Sequence, residues 1–351
     1  MKKILVALSG GVDSAVSALL LKQAGYDCMA ATMRVQGKNT CCTDEDIRLA
    51  RAVADKLSIP YEVYDFEADF TATVIDNFVR TYCEGGTPNP CVVCNRYLKF
   101  EKLFERGFEM GSDMIATGHY ARTGYDEKSG RYLLRRALDG QKDQSYVLYT
   151  LTQEMLARTI FPLGEMTKGE VREIARQNGF DNAERPDSQD ICFVNDGDYA
   201  SFIEHYLGRQ FPEGDFVDLS GKVLGRHRGI IRYTVGQRKG LGLSLPAPLY
   251  VKEKDIEKNR VVLAPEEALY AESLVADRIN LISVPDIQTP MRVRAKVRYR
   301  QTEQWATVVQ TDCDRIRVSF DTPQRAISPG QSVVLYDGDT VVGGGRILYA
   351  E

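Results

Sequence analysis

The chain has 351 residues, 43% hydrophobic and 27% charged, with a formal charge of −4; at ~100–200 residues per domain this predicts two or three domains and excludes wholesale disorder. The first 200 residues hold six more acids than bases and the remainder two more bases than acids, so any contact with a polyanion must be local rather than a global field. The apolar run Ile4 to Leu8 is shorter than the ~7–15 residues of a signal-peptide core, and nothing approaches the ~20 of a membrane span. The expectation is a cytoplasmic protein without membrane contact, in which eight cysteines point to reactive or ligating thiols more than to structural disulfides.

KKILVALS predicts a first strand, VDSAVSALLLKQAG a helix closed by Gly25, and DCMAATMRV a second strand. A helix from Asp44 to Leu57 follows, with Ile47, Ala50, Val53, Ala54 and Leu57 on one face. YEVYDF, TATVIDNFVRTY and DMIATGH then read as strand, helix and strand. Buried strands alternating with amphipathic helices predict an α/β fold with a doubly wound, mostly parallel sheet. After about residue 205 the runs become short and alternating (APLYVKEKD, NRVVLA, MRVRAKVRYR, WATVVQT, RIRVSF, SVVLYDGD, TVVGGGRILY), with YDGD and TDCD as hairpin connections. That texture predicts a small β-barrel or sandwich. Boundaries fall near Leu207 and Val275, giving segments 1–207, 208–275 and 276–351.

SGGVDS, residues 9–14, sits at the first strand–helix junction, where open α/β sheets bind ligands. Gly10 and Gly11 permit a tight turn of backbone N–H groups at a helix N-terminus, an anion site to which Ser9 and Ser14 add hydroxyls. Asp13 is out of place in an anion site unless it engages a magnesium ion or caps the helix. The string resembles the pyrophosphate loop of ATP pyrophosphatases, which adenylate a substrate oxygen; the bland reading is a glycine turn with a helix cap.

In TPNPCVVCNRYLKF, Cys94 is expected at the start of the helix NRYLKFEKLFERG, where the helix dipole with Arg96 and Lys99 would favour the thiolate. Cys192 lies in DSQDICFVNDGDY among Asp187, Asp190 and Asp196, which oppose ionisation. Cys91 and Cys94 could be half of a zinc site, although no second pair completes one, and a thioredoxin-like pair does not suit a proline loop. Cys91, Cys94 and Cys192 together could hold an iron–sulfur cluster with one iron open, a possible but not favoured cofactor. Cys28, Cys83 and Cys313 read as buried or incidental, and His119 as either a phosphate contact or a structural ring.

Two basic segments stand out. GRHRGIIRYTVGQRKGLG carries Arg226, Arg228, Arg232, Arg238 and Lys239, with Tyr233 as a stacking surface. In RVRAKVRYR, strand periodicity places Arg292, Arg294, Lys296, Arg298 and Arg300 on one face, a candidate phosphate track. Trp305 is expected in the barrel core.

SGGVDS, TPNPCVVCNRYLKF, GHYAR at 118–122, DQSYVL at 143–148, PDSQDICF at 186–193 and YTVGQRKGLG at 233–242, in this order and spacing, resemble tRNA-specific 2-thiouridylases nearly end to end. The resemblance implies an ATP pyrophosphatase domain, a small central domain and a C-terminal β-barrel. It also implies ATP-dependent replacement of the carbon-2 oxygen of the wobble uridine by sulfur in tRNAs for Lys, Glu and Gln. By that likeness Cys192 carries a persulfide and Cys94 releases it. Ala7, Leu8, Ser9, Gly10, Gly11, Val12, Asp13, Ser14, Met33 and Gly118 hold ATP with Mg2+, and no residue is assigned as a resident metal ligand. Asn89, Pro90, Cys91, Lys142, Asp143, Gln144, Tyr299 and Arg300 contact tRNA, and a cysteine desulfurase or sulfur-relay protein supplies sulfur. The family usually has Asp where this chain has Cys91, so that position would have to act through a weaker acid. Outside the family, the same loop would suit a ligase acting on a small molecule, or an RNA-binding adaptor that retains ATP binding.

Overall fold

Alternation along β1 (Lys3–Ala7) explains the core of the N-terminal half. Ile4 and Val6 are fully buried on one face of the sheet with Val16, Ala50 and Val171, while Leu5 is buried on the other with Phe100, Leu103 and Ile115. Both faces of the strand are covered, as a parallel sheet requires. The computed structural model describes residues 2–35, 42–185, 191–194 and 197–351.

The sheet continues with β2 (Asp27–Arg34), β3 (Tyr61–Asp65) and β4 (Met114–Ala116). The chain then makes a hairpin, β5 (Ala121–Asp126) and β6 (Arg131–Arg136), before the two-residue β7 (Thr159–Ile160). Sheet order is β3-β2-β1-β4-β7, all parallel. The helix Asp44–Leu57 spans the expected residues because Thr43 and Asp46 form a reciprocal capping box. A continuous helical stretch covers 67–83 and another 90–109, and both widen to π geometry midway, at Thr71–Ile75 and Asn95–Lys102.

In the central region β8 (Gly214–Val217), β9 (Val223–His227), β10 (Tyr250–Asp255) and β11 (Arg260–Ala264) form a sheet in the order β10-β11-β8-β9. Its buried end holds Phe216, His227 and Tyr233 ring to ring, with centroids 5.0–5.7 Å apart. Tyr233 is 4% exposed, so it is a packing residue and not the stacking surface expected of it. The C-terminal strands β12 (Tyr270–Leu281), β13 (Met291–Lys296), β14 (Gln304–Asp312), β15 (Arg315–Arg325), β16 (Ser332–Asp337) and β17 (Thr340–Ala350) run β12-β15-β14-β13-β16-β17 and close into a barrel through β12–β17 pairing. The TDCD and YDGD turns connect β14 to β15 and β16 to β17 as expected.

Two barrel expectations need correction. Strand β13 ends at Lys296, and the Gln301 N–H donates to the Arg298 carbonyl at 3.2 Å, so residues 297–301 turn instead of extending one cationic face. Trp305 is 47% exposed: Ala306 and Val308 take the inward positions of β14, and period-two alternation puts Trp305 outside. Its ring lies between Arg292 and Arg294, at 5.0 and 4.8 Å.

The barrel is fastened to the N-terminal half. Thr340 pairs with Arg135 of β6, Tyr146 Oη donates to the Ser332 carbonyl at 2.8 Å, and Asn280 Nδ2 donates to the carbonyls of Tyr149 and Leu151 at 2.7 and 2.8 Å. Thr87 N donates to the Pro329 carbonyl at 2.8 Å, and Gln331 Nε2 to the carbonyls of Thr87 and Pro88, both at 3.0 Å. The barrel therefore clamps the loop that leads into Asn89. No helix among the described residues is long and apolar enough to cross a membrane.

Candidate active site

The phosphate-type loop leaves β1 and enters the helix Val12–Gln23. Gly10 has a φ of +76°, and a Cβ there would lie 2.5 Å from the Asp46 carbonyl oxygen, so only glycine fits. Asn182 Nδ2 donates to the Gly10 carbonyl at 2.9 Å. Inside the turn the Ser9 N–H donates to Ser14 Oγ at 3.1 Å, and Ser14 Oγ donates to the Gly11 carbonyl at 3.0 Å. Leu8 is locked to β2 on both sides: its N–H donates to the Ala31 carbonyl at 2.8 Å, and its carbonyl accepts from Thr32 Oγ1 at 2.6 Å. Gly118, after β4, comes so close that a Cβ would sit 2.8 Å from Ser14 N. Ala7 ends β1, Val12 is buried as the first helical residue, and Met33 stands half-buried near the end of β2. The structure thus brings all ten residues assigned to ATP to the carboxyl ends of β1, β2 and β4.

Asp13 neither bonds a helix N–H nor faces solvent alone. Both its carboxylate oxygens accept from Lys168 Nζ, at 2.7 and 2.8 Å, and Oδ1 also accepts from Tyr120 Oη at 2.8 Å. Lys168 is 8% exposed. Sequence reasoning missed it because, inside the capping box of Thr167 and Glu170, Lys168 reads as an ordinary solvent-facing first-turn residue. His119 is buried, with Nδ1 2.8 Å from Thr117 Oγ1 and its ring near Phe100 and Phe161. Burial, aided by Lys99, holds its pKa well below the ordinary value.

The thiol helix starts earlier than expected. Asn89 is its N-cap, with Oδ1 accepting from Val92 N at 3.3 Å, and Pro90 is the first helical residue. Cys94 is therefore the fifth residue of the helix, adjoining the π segment, and the helix-dipole argument for its thiolate does not apply to it. The Asn-Pro pair was the missed signal. Arg96 points to Met155 Sδ at 2.9 Å, and Lys99 lies toward His119.

Cys94, Cys192 and Met33 are half-buried against one apolar cluster containing Phe70, Phe78 and Phe193. Phe193 fixes the segment 191–194: its ring is 5.6 Å from Phe70, 5.0 Å from Phe78 and 5.3 Å from Phe202. Burying one such side chain is worth roughly 1.5–3 kcal/mol. Asp187, Asp190 and Asp196, expected to act on Cys192, lie outside the described residues. Cys28 is buried, Cys83 half-buried and Cys313 exposed at the β14–β15 turn, and burial raises the thiols of Cys28 and Cys83.

A third group converges beside the thiol helix. Tyr299 Oη donates to the Asp143 carbonyl at 3.2 Å. The phenol's pKa is raised first by burial, then by the Asp143 carboxylate and by the exposed Cys91 thiol, which puts Cys91 within electrostatic reach of Tyr299. Asp143 organises its own turn, accepting from Ala137 N at 3.2 Å and Ser145 N at 3.1 Å. Gln144 and Tyr120 bond reciprocally, each N–H···O at 2.9 Å, which ties residues 142–144 to the phosphate loop. Lys142 is half-buried and Arg300 exposed. Of the other cations, Arg226 pairs with Asp215, Arg232 with Glu204 and Arg292 with Asp321, whereas Arg228, Arg238 and Lys239 are exposed.

This is a HUP-type nucleotide-binding architecture carrying two thiol-bearing segments and a C-terminal barrel. Residues 2–196 match the model of the tRNA methyl transferase HUP domain, 200–265 that of the tRNA methyl transferase PRC-barrel domain, and 271–347 that of the aminomethyltransferase beta-barrel domain. The chain is 48% identical over 355 residues to the tRNA-specific 2-thiouridylase MnmA of Acetivibrio thermocellus, covering 99% of each. It is 48% identical over 357 residues to that of Lachnoclostridium phytofermentans, covering 99% of this chain and 100% of the other. The chain belongs to the tRNA-specific 2-thiouridylase family. Among solved structures, the U34-tRNA thiolase NcsA from Methanococcus maripaludis with its [4Fe-4S] cluster aligns with 54% of this chain and 60% of its own at 21% identity and a TM-score of 0.38, a likeness too slight to carry any argument.

Proposed function

We propose that the chain is an ATP-dependent tRNA-uridine 2-sulfurtransferase acting in the cytoplasm on the wobble uridine of tRNAs for Lys, Glu and Gln. The observation that supports this most is membership of the 2-thiouridylase family along 99% of the chain. The convergence of Asn89–Cys91, Asp143 and Tyr299 beside the thiol helix supports it further.

In this reading the carbon-2 oxygen of uridine attacks the α-phosphate of ATP and pyrophosphate leaves. The terminal sulfur of a Cys192 persulfide then forms the C–S bond, and AMP departs with the original oxygen. The Cys94 thiolate attacks the inner sulfur of Cys192, breaking the S–S bond to the transferred atom and leaving a Cys94–Cys192 disulfide. A cellular thiol reductant restores the pair, and a cysteine desulfurase or relay protein reloads it. Cys192 and Cys94 both pack, half-buried, against the same apolar cluster, which supports this pairing.

Magnesium would arrive with ATP, held by its phosphate oxygens and by water, with one or two protein carboxylates as the usual further ligands. Asp13 is engaged by Lys168 and Tyr120, and no three His, Cys, Asp or Glu side chains converge as a metal site among the described residues. The described thiols do not converge as a cluster site either: Cys91 is exposed, while Cys94 and Cys192 pack half-buried on the apolar cluster. The test is nucleoside analysis of unmodified tRNA incubated with enzyme, ATP and a sulfur donor. A new thiolated uridine made by colourless, iron-free protein is expected. AMP release without tRNA stimulation and without thiolated product would refute the proposal.

A further inference from the structure

Asp13 poses an electrostatic problem for a loop that is to hold a triphosphate. Its side chain is 31% exposed in the middle of the anion-binding turn, where a bare carboxylate would repel phosphate. Lys168 poses the complementary problem. It is the first residue of the helix Lys168–Gln177, where the helix dipole disfavours a cation, and its side chain is only 11% exposed. Each anomaly explains the other, because the ammonium sits 2.7 and 2.8 Å from the two carboxylate oxygens. Tyr120 Oη adds a third donor at 2.8 Å, and Tyr120 is itself held by Gln144. Local rules broken in matched pairs are typical of functional sites.

We propose that Lys168 is a positioning residue for ATP: it neutralises and immobilises Asp13, so that the SGGVDS turn presents a net attractive field to the triphosphate. Tyr120 serves as the second brace. This inference rests on the loop being the ATP site: the Asp13 carboxylate holds the helix Lys168–Gln177 against the loop, and Lys168 cancels its charge.

The experiment is calorimetric titration of the full chain with Mg-ATP, paired with steady-state kinetics. Lys168→Met should weaken ATP binding and raise its KM by about 10- to 100-fold, the range for losing a charge-assisted contact. The KM for tRNA should stay within about threefold, a split that general destabilisation would not produce. Asp13→Asn added to Lys168→Met should recover most of the ATP affinity that Lys168→Met loses. Lys168→Arg should retain most of the affinity. A double variant as weak as Lys168→Met, or a Lys168→Met variant that binds ATP like wild type, overturns the inference. Where Lys168→Met does not fold, Lys168→Gln decides in the same titration: ATP affinity equal to wild type overturns the inference. Wild-type protein that binds no ATP would instead bring down the reading of the loop on which the inference rests.

Discussion

The phosphate loop and the thiol helix lie in the same N-terminal region and are built by opposite means. The loop is a six-residue string whose turn is closed largely by its own atoms, Ser9 to Ser14 and Ser14 to Gly11. The thiol corner is assembled from parts far apart in sequence: residues 87–94, the segment 191–194, the turn at Asp143 and the barrel residues Tyr299 and Gln331. A local device can be read from composition and spacing. An assembled one depends on which apolar faces find each other.

The largest test of the assembled corner is chemical. Cys94→Ala and Cys192→Ala should each lower thiolated uridine by about three orders of magnitude or more while leaving ATP affinity within about threefold. Thiolation by either variant at wild-type rates, measured by nucleoside analysis, would remove that residue from the reaction.

Next is the local device. Gly10→Ala meets both a positive φ and the Asp46 carbonyl, and should cost about 2–4 kcal/mol with at least a tenfold loss of ATP affinity. Gly25→Ala shares the positive φ, at +83°, but its Cβ would have nothing within 4 Å, so thermal unfolding should show only about 1–2 kcal/mol. Equal losses at the two sites would show that backbone strain, and not the close approach to Asp46, dominates.

A pH experiment probes the junction between the parts. Lys254 Nζ reaches the Gly86 carbonyl at 3.4 Å, and burial pulls its pKa down to about 8. The folded value lies below the unfolded one, so between about pH 8 and 10.5 the unfolded chain binds the extra proton and this residue's contribution to stability rises with pH. Lys254→Met should therefore raise Tm at pH 7, with an advantage that shrinks as pH climbs through that window. A constant difference from pH 7 to 10 would contradict it.

The smallest effect is expected from Tyr299→Phe, which removes one partly exposed hydrogen bond to Asp143 and should raise the KM for tRNA by about three- to tenfold without changing that for ATP. An equal rise in both would place Tyr299 in general stability instead.

Legibility in the sequence followed the same division. The parallel sheet, the helix Asp44–Leu57, the two barrel hairpins and the SGGVDS turn were all readable, because their signals lie within a few residues of each other. Thr-Pro-Asn-Pro reads as a proline loop and so puts Cys94 at a helix start, although Asn89 and Pro90 are a helix cap and a first helical residue. Hydrophobicity points Trp305 inward, while the parity of Ala306 and Val308 puts it outside.

The sequence by itself determined the strands β1 to β4 with the helices between them, the two barrel hairpins, the turn at residues 9–14 and the family to which the chain belongs. Periodicity, capping and a short glycine motif are local properties of the chain. Tertiary structure alone decided that Lys168 answers Asp13 across 155 positions, that the barrel grips Thr87 and Pro88, and that Cys94 and Cys192 share one apolar cluster. Those pairings follow from burial, since a cation and a carboxylate removed from water, or two half-buried thiols beside a core of phenylalanines, are placed by the packing of distant elements.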